Sequence, residues 1–187
     1  RVNPFKGSAA EIPSHVKDTR ELREPRRFAQ EVAPSKFAVH QLRGAQVSPD
    51  GKRVVYSALG SLYVKDLPDG TPRRLTRQDE AFEFAPSWSR DGKSLVYATW
   101  RDDTQGTVRR LDVASGKDTV LTKEPGKYLE PRLSPDGRQV VYRKVKGGGL
   151  TSPWYSLDTG LYLAAVDGSG KPERIAKEGS GAQFGAR

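Results

Sequence analysis

A chain of 187 residues can bury a sizeable core, and 19 Gly with 13 Pro beside 35% apolar and 29% charged residues describe a folded, turn-rich protein. Cys is absent, which excludes a disulfide framework and a thiolate metal site, and no apolar run approaches the roughly 18 residues of a membrane span, so no membrane insertion is expected. The net charge is +9, but the bases are interleaved with acids, as in "RRLTRQDEAFE", which reads as a solvated surface and not a nucleic-acid or anionic-lipid site.

Residues 1–40 are expected to be extended or irregular. Within them "EPRRFAQEV" mirrors a later "TPRRLT" and reads as the last strand of a preceding unit. The stretch "HVKDTRELREPRR" has helix-forming residues but poor apolar periodicity, so no helix is expected there. No leader pattern opens the chain, and any signal peptide is expected to have been removed or left out.

From residue 41 a repeat takes over. The first unit, residues 41–82, runs "GAQVS", "SPDG", "KRVVYSA", "SLYVKDL", "TPRRLT". The second, residues 83–127, runs "APSWS", "SRDG", "KSLVYAT", "TVRRLDVASG", "KDTVLT". The third, residues 128–180, runs "EPRLS", "SPDG", "RQVVYRK", "GLYLAAVDGSG", "KPERIA". Then "GAQF" at residues 181–184 repeats "GAQV", as the first strand of a next unit. The turn serines Ser48, Ser89 and Ser134 stand 41 and 45 residues apart. Four short β-type runs in a period of about 40–45 residues are the signature of a β-propeller blade. The expected fold is therefore all-β, a partial propeller of about three four-stranded antiparallel blades. The chain is expected to begin and end inside a larger ring of six or seven.

The turns have a chemistry of their own. Pro49 and Pro135 preset φ at the first central position, while Asp50, Asp91 and Asp136 can accept from a backbone amide two residues on. Gly51, Gly92 and Gly137 supply the positive φ that such a turn needs. These residues are expected to be structural.

The pattern "SPDGxxVVY…LYVxDLxxGxxxRLT", over residues 41–184, resembles the TolB-type, or PD-type, propeller repeat. The same repeat occurs in propellers attached to peptidases. "VVYSALGSLYVKDLPDGTPRRLT", with the upstream "PRRFAQEV", is most similar to the propeller part of exported TolB-like/amidohydrolase fusion proteins. That resemblance implies a periplasmic or secreted location.

In an antiparallel four-stranded blade, connections alternate between the two faces of the ring. One face receives short turns, and the other the longer "RQDEAFEFAP", "WRDDTQG", "KEPGKYLEP" and "KVKGGGLTSPWYSLDTG". Variable loops on a rigid scaffold make a binding surface, and aromatics with Arg are the residue types that anchor interfaces. Phe82, Trp100, Arg101, Asp102, Asp103, Tyr128, Trp154 and Tyr155 are the candidate partner-binding residues. Phe84 and Tyr128 also fit as packing between blades, and Trp88 reads as core.

No catalytic or metal-ligand constellation is recognised, since His15 and His40 stand in no ligand-pair motif and no nucleophile elbow or phosphate loop is present. Neither a metal nor a cofactor is expected. The leading expectation is a non-catalytic module that binds a protein or peptide through its long-loop face. The alternative is the propeller portion of a larger hydrolase, shaping access to a catalytic domain. The partners are then the remaining blades and catalytic domain of the same polypeptide, or a second copy that completes the ring as a homodimer.

Overall fold

A computed structural model describes residues 13–23, 31–147 and 155–185. The chain divides into two units, Arg1–Phe37 and Ala38–Arg187. The described residues of the first unit form neither helix nor strand, including those of "HVKDTRELREPRR". The strand expected over "RRFAQEV" falls almost wholly outside the described residues.

Among its described residues the second unit is all-β, with twelve strands in three antiparallel four-stranded sheets. Blade 1 comprises β1 (Arg43–Val47), β2 (Arg53–Ala58), β3 (Ser61–Asp66) and β4 (Arg73–Arg74), hydrogen-bonded in that order. Blade 2 comprises β5 (Phe82–Trp88), β6 (Ser94–Trp100), β7 (Val108–Asp112) and β8 (Asp118–Val120). Blade 3 comprises β9 (Lys127–Leu133), β10 (Gln139–Val145), β11 (Gly160–Ala165) and β12 (Glu173–Ala176). Every strand pairs with its chain neighbour, so each blade is a simple meander.

Side chains alternate across a strand, and the core follows from that period. From β6, Leu95 and Tyr97 join Val55, Leu62, Trp88 and Leu111 in a wedge between blades 1 and 2. Val96 and Ala98, pointing the other way, join Val108, Leu121, Tyr128, Val140 and Tyr142 between blades 2 and 3. The middle blade is covered on both faces, which explains why "SLVYAT" is buried throughout. Each fully buried Val or Leu contributes about 1.5–3 kcal/mol, so the wedges, and not the ladders alone, hold the blades in sequence.

The first strand of each blade carries a register shift against its partner. At the bulge stand Gly44, Ala85 and Glu130, with φ of 61°, 50° and 54°. Gly181 occupies the same place in "GAQF" and has a φ of 65°. Its amide donates to Glu130 Oε2 at 2.7 Å. Gly181 thus shares the left-handed φ of the three bulge positions, although residues 181–185 form no strand.

Candidate functional site

The three serine turns are near-identical. Ser48, Ser89 and Ser134 donate to Asp50, Asp91 and Asp136 at 2.6, 2.6 and 2.5 Å. Each serine Oγ accepts from the amide five residues on, at 2.9 Å in all three. Each Asp accepts from the amide two residues on, at 3.1, 3.0 and 3.0 Å. The serine hydroxyl, and next that amide, hold all three carboxyls below the usual carboxylate range. Gly51, Gly92 and Gly137 close the turns at φ of 73°, 66° and 70°. Pro49 and Pro135 open two of them, and Arg90 takes the place of Pro in the third. All this hydrogen bonding is internal to the turns.

On the opposite face, the end of β6 and the loops beside it gather the aromatics. Phe82 is 61% exposed and pairs in register with Trp100. Its ring lies over Gly60, where a Cβ would stand 2.6 Å from Phe82 Cδ1. Trp100 Nε1 donates to Asp102 at 2.8 Å, and its ring meets Tyr155 of blade 3 edge-on at 4.6 Å. The Lys127 ammonium stands 5.9 Å over the same ring. Arg101 makes a two-pronged pair with Asp103 at 2.9 and 2.7 Å and reaches Glu80 at 3.0 Å. Arg101 holds the Asp103 carboxyl below its ordinary value. These ion pairs are exposed and screened by solvent, so they orient the guanidinium more than they stabilise the blade.

The loops are brought together by a two-residue bridge. Gly106 and Gly126 exchange backbone hydrogen bonds of 2.9 and 3.3 Å across blades 2 and 3. A Cβ on Gly106 would lie 2.2 Å from Thr99 O, so only glycine admits this approach.

Among the sequence-derived candidates, Phe82, Trp100, Arg101, Asp102, Asp103 and Tyr155 share this face. Trp154 lies outside the described residues. Tyr128 does not offer its ring to the face. It is 2% exposed, packs edge-on against Tyr142 at 5.3 Å and donates its hydroxyl to Glu124 O at 2.6 Å. Its side of β9 faces the wedge with blade 2, where packing claims it. Phe84 packs partly buried against the same cluster. Asp102 and Asp103 are each engaged by a neighbour, and no group of three potential metal ligands occurs among the described residues.

Sequence reasoning passed over a second cluster, on the outer part of the wedge between blades 2 and 3. Lys144, its side chain 8% exposed, donates to Asp158 at 2.9 Å and to Glu124 at 3.3 Å. Burial opposes its charge, but the Asp158 and Glu124 hydrogen bonds outweigh burial and its pKa rises. Tyr162 donates to Asp158 O at 2.6 Å and stacks on Tyr142 at 5.9 Å. The signal available in sequence was the spacing of Lys144, which puts it on the same side of β10 as the core residues Val140 and Tyr142.

No family model matches the chain. The Tol-Pal system protein TolB of Francisella tularensis subsp. tularensis is 32% identical over 108 residues, 58% of this chain and 23% of that protein. An uncharacterized protein of Agrobacterium fabrum is 30% identical over 143 residues, 74% of this chain and 44% of that one. The solved TolB of Acinetobacter baumannii matches with a TM-score of 0.57 at 22% identity, over 72% of this chain and 32% of its own. These are TolB-like propeller blades. An oligogalacturonate lyase solved in complex with manganese shares the fold at a TM-score of 0.59 and 19% identity, over 74% of this chain and 41% of its own. The chain spans between 23% and 44% of the curated relatives it matches, so its TolB-like blades correspond to part of those proteins.

Proposed function

We propose that the TolB-like blades belong to a protein-interaction module whose long-loop face binds a protein or peptide partner. The observation that carries this reading is the convergence of Trp100, Tyr155, Phe82 and Arg101 from adjacent blades. Partly exposed aromatics beside a pre-oriented guanidinium form the kind of anchor that dominates binding energy. The Glu80 and Asp103 contacts hold Arg101 in one geometry before a partner arrives, which lowers the ordering cost of association. The Tol-Pal relatives support placing the module in the periplasm.

A second reading takes the blades as the propeller of a larger hydrolase. The fold shared with oligogalacturonate lyase supports a propeller that serves an enzyme, though that enzyme cleaves by elimination and lends nothing to hydrolysis itself. One experiment addresses both. A photo-crosslinking residue is placed at Tyr155 or Phe82, and at Ser115 on the short-turn face, in the full-length protein in its native host. The loop-face positions should cross-link to one separate polypeptide, and Ser115 should not. Cross-links only within the same polypeptide favour the hydrolase reading, and equal labelling from both faces removes the loop face as the site.

A further inference from the structure

The hairpin between β2 and β3 turns on two residues, Leu59 and Gly60, and is closed by the pairing of Ala58 with Ser61. Both turn residues take a positive φ, 51° at Leu59 and 79° at Gly60. That backbone belongs to the two-residue turns that match strand twist, where Asn-Gly or Asp-Gly is the usual pair. A bulky side chain at positive φ is an outlier, because its Cβ crowds the following carbonyl. The other non-glycine residues with positive φ among those described are Ala85, Gln105 and Glu130, and Ala85 and Glu130 stand at the inner-strand bulges. Leu59 alone of the four is large and apolar, and it is 62% exposed. Neither turn chemistry nor burial accounts for a leucine in this place.

The tip of the hairpin is also held still. Gly60 O accepts from the Glu83 amide at 2.8 Å. The buried Glu83 carboxylate in turn accepts from the Leu62 amide at 2.9 Å and from the Thr76 hydroxyl at 2.6 Å. Blade 2 thus grips this hairpin of blade 1 at two points next to Leu59. The exposed Phe82 ring lies over Gly60 and extends the apolar surface of the tip. Residues kept in a strained conformation by their surroundings cluster at functional sites. Leucine by itself is a weak marker of an interface anchor; the left-handed backbone is what singles this one out.

We infer that Leu59 is an anchor of the loop face, a knob that seats in an apolar recess of a protein partner. This rests on the loop-face reading and adds a residue to it. The surroundings favour a protein over a lipid surface. Beside the tip Arg74 pairs with Asp79, and Arg101 with Glu80 and Asp103, so charges of both signs surround it. Such a surround fits the polar rim of a protein interface, whereas faces that lie on anionic bilayers are rich in Lys and Arg.

The test carries the photo-crosslinking residue at Tyr155 of the full-length protein in its native host, in wild type, Leu59→Asn and Leu59→Met. Each purified variant is also melted. Leu59→Asn should melt no lower than wild type, since asparagine tolerates the left-handed backbone. It should nevertheless cut the yield of the cross-link to a separate polypeptide about tenfold. Leu59→Met, which keeps an apolar side chain, should retain most of that yield. A wild-type yield from Leu59→Asn would leave the loop face standing and remove Leu59 as its anchor. A clearly lower melting temperature for Leu59→Asn would show the leucine to be held by packing, which overturns the inference. Absence of the cross-link in wild type removes the loop-face reading and this inference with it. Phosphatidylglycerol vesicles that retain wild type but not Leu59→Asn would assign the residue to a lipid surface and overturn the protein partner.

Discussion

At the scale of single residues, burial decides how the tyrosines titrate. Burial pushes the Tyr142 hydroxyl up to about 12, with the neighbouring Tyr162 adding to it. Tyr97 and Tyr128 are raised further, again by burial first, with Asp118 and then Tyr142 as the next contributors. The folded state therefore holds the neutral phenols. Their contribution to stability is complete below the unfolded value near 10 and is lost as pH rises through the raised values. Of the seven tyrosines, these three should ionise only as the fold gives way. Tyrosinate absorbance and circular dichroism followed together against pH check this. A single absorbance step near 10 with the fold unchanged would contradict it. The same residues mark what sequence could not give. An aromatic at the start of a blade looks alike whether it faces a loop or a wedge, so sequence alone offers Tyr128 to either. The Lys144 cluster was still less legible, because its carboxylates lie 14 and 20 residues away and share no motif with it.

At the scale of elements, the blade was legible because its determinants are local. A turn whose serine, aspartate and glycine satisfy one another within six residues writes itself into the sequence, and it recurs wherever the blade recurs. Ser89 is buried, accepts from the Ser94 amide at 2.9 Å and donates to Asp91 at 2.6 Å. Ser94 is itself buried, so Ser89→Ala strips a buried amide of its side-chain partner and frees the Asp91 carboxylate. The expected loss is roughly 1–3 kcal/mol by urea unfolding. Ser115→Ala, in the exposed β7–β8 turn, should fall within about 0.5 kcal/mol of wild type. A Ser89→Ala variant as stable as Ser115→Ala would remove the turn network as a source of stability. The wedge geometry was legible only in part. The continuous run "SLVYAT" announces a strand buried on both faces, but which neighbour covers which face depends on the order of blades in space.

At the scale of the whole molecule, three blades do not close a ring, since propellers use roughly 4–8. The consequence shows at equivalent positions of the inner strands. Trp88 of blade 2 is 9% exposed, its indole donating to Gln46 O at 3.1 Å while Arg53 of blade 1 lies 4.9 Å over its ring. Val47 holds the same position in blade 1 and is 55% exposed. The difference is the preceding blade, which covers the one and not the other. At the far side, Gly181 of "GAQF" has the left-handed φ of the three bulge positions, and its amide bonds Glu130 of blade 3. Among the described residues of the second unit, one flank thus lacks a cover and the other meets "GAQF", which suits either further blades of the same polypeptide or a second copy placed head to tail. Apolar surface of this kind favours association. Residues 1–187 alone should therefore scatter light as a dimer or larger at tens of micromolar. Val47→Arg, which places a charge where a neighbouring blade would pack, should shift the mass toward the monomer. A wild-type chain that is monomeric at that concentration and unfolds cooperatively would show that the arc tolerates its open flanks, and the need for a covering blade would fall.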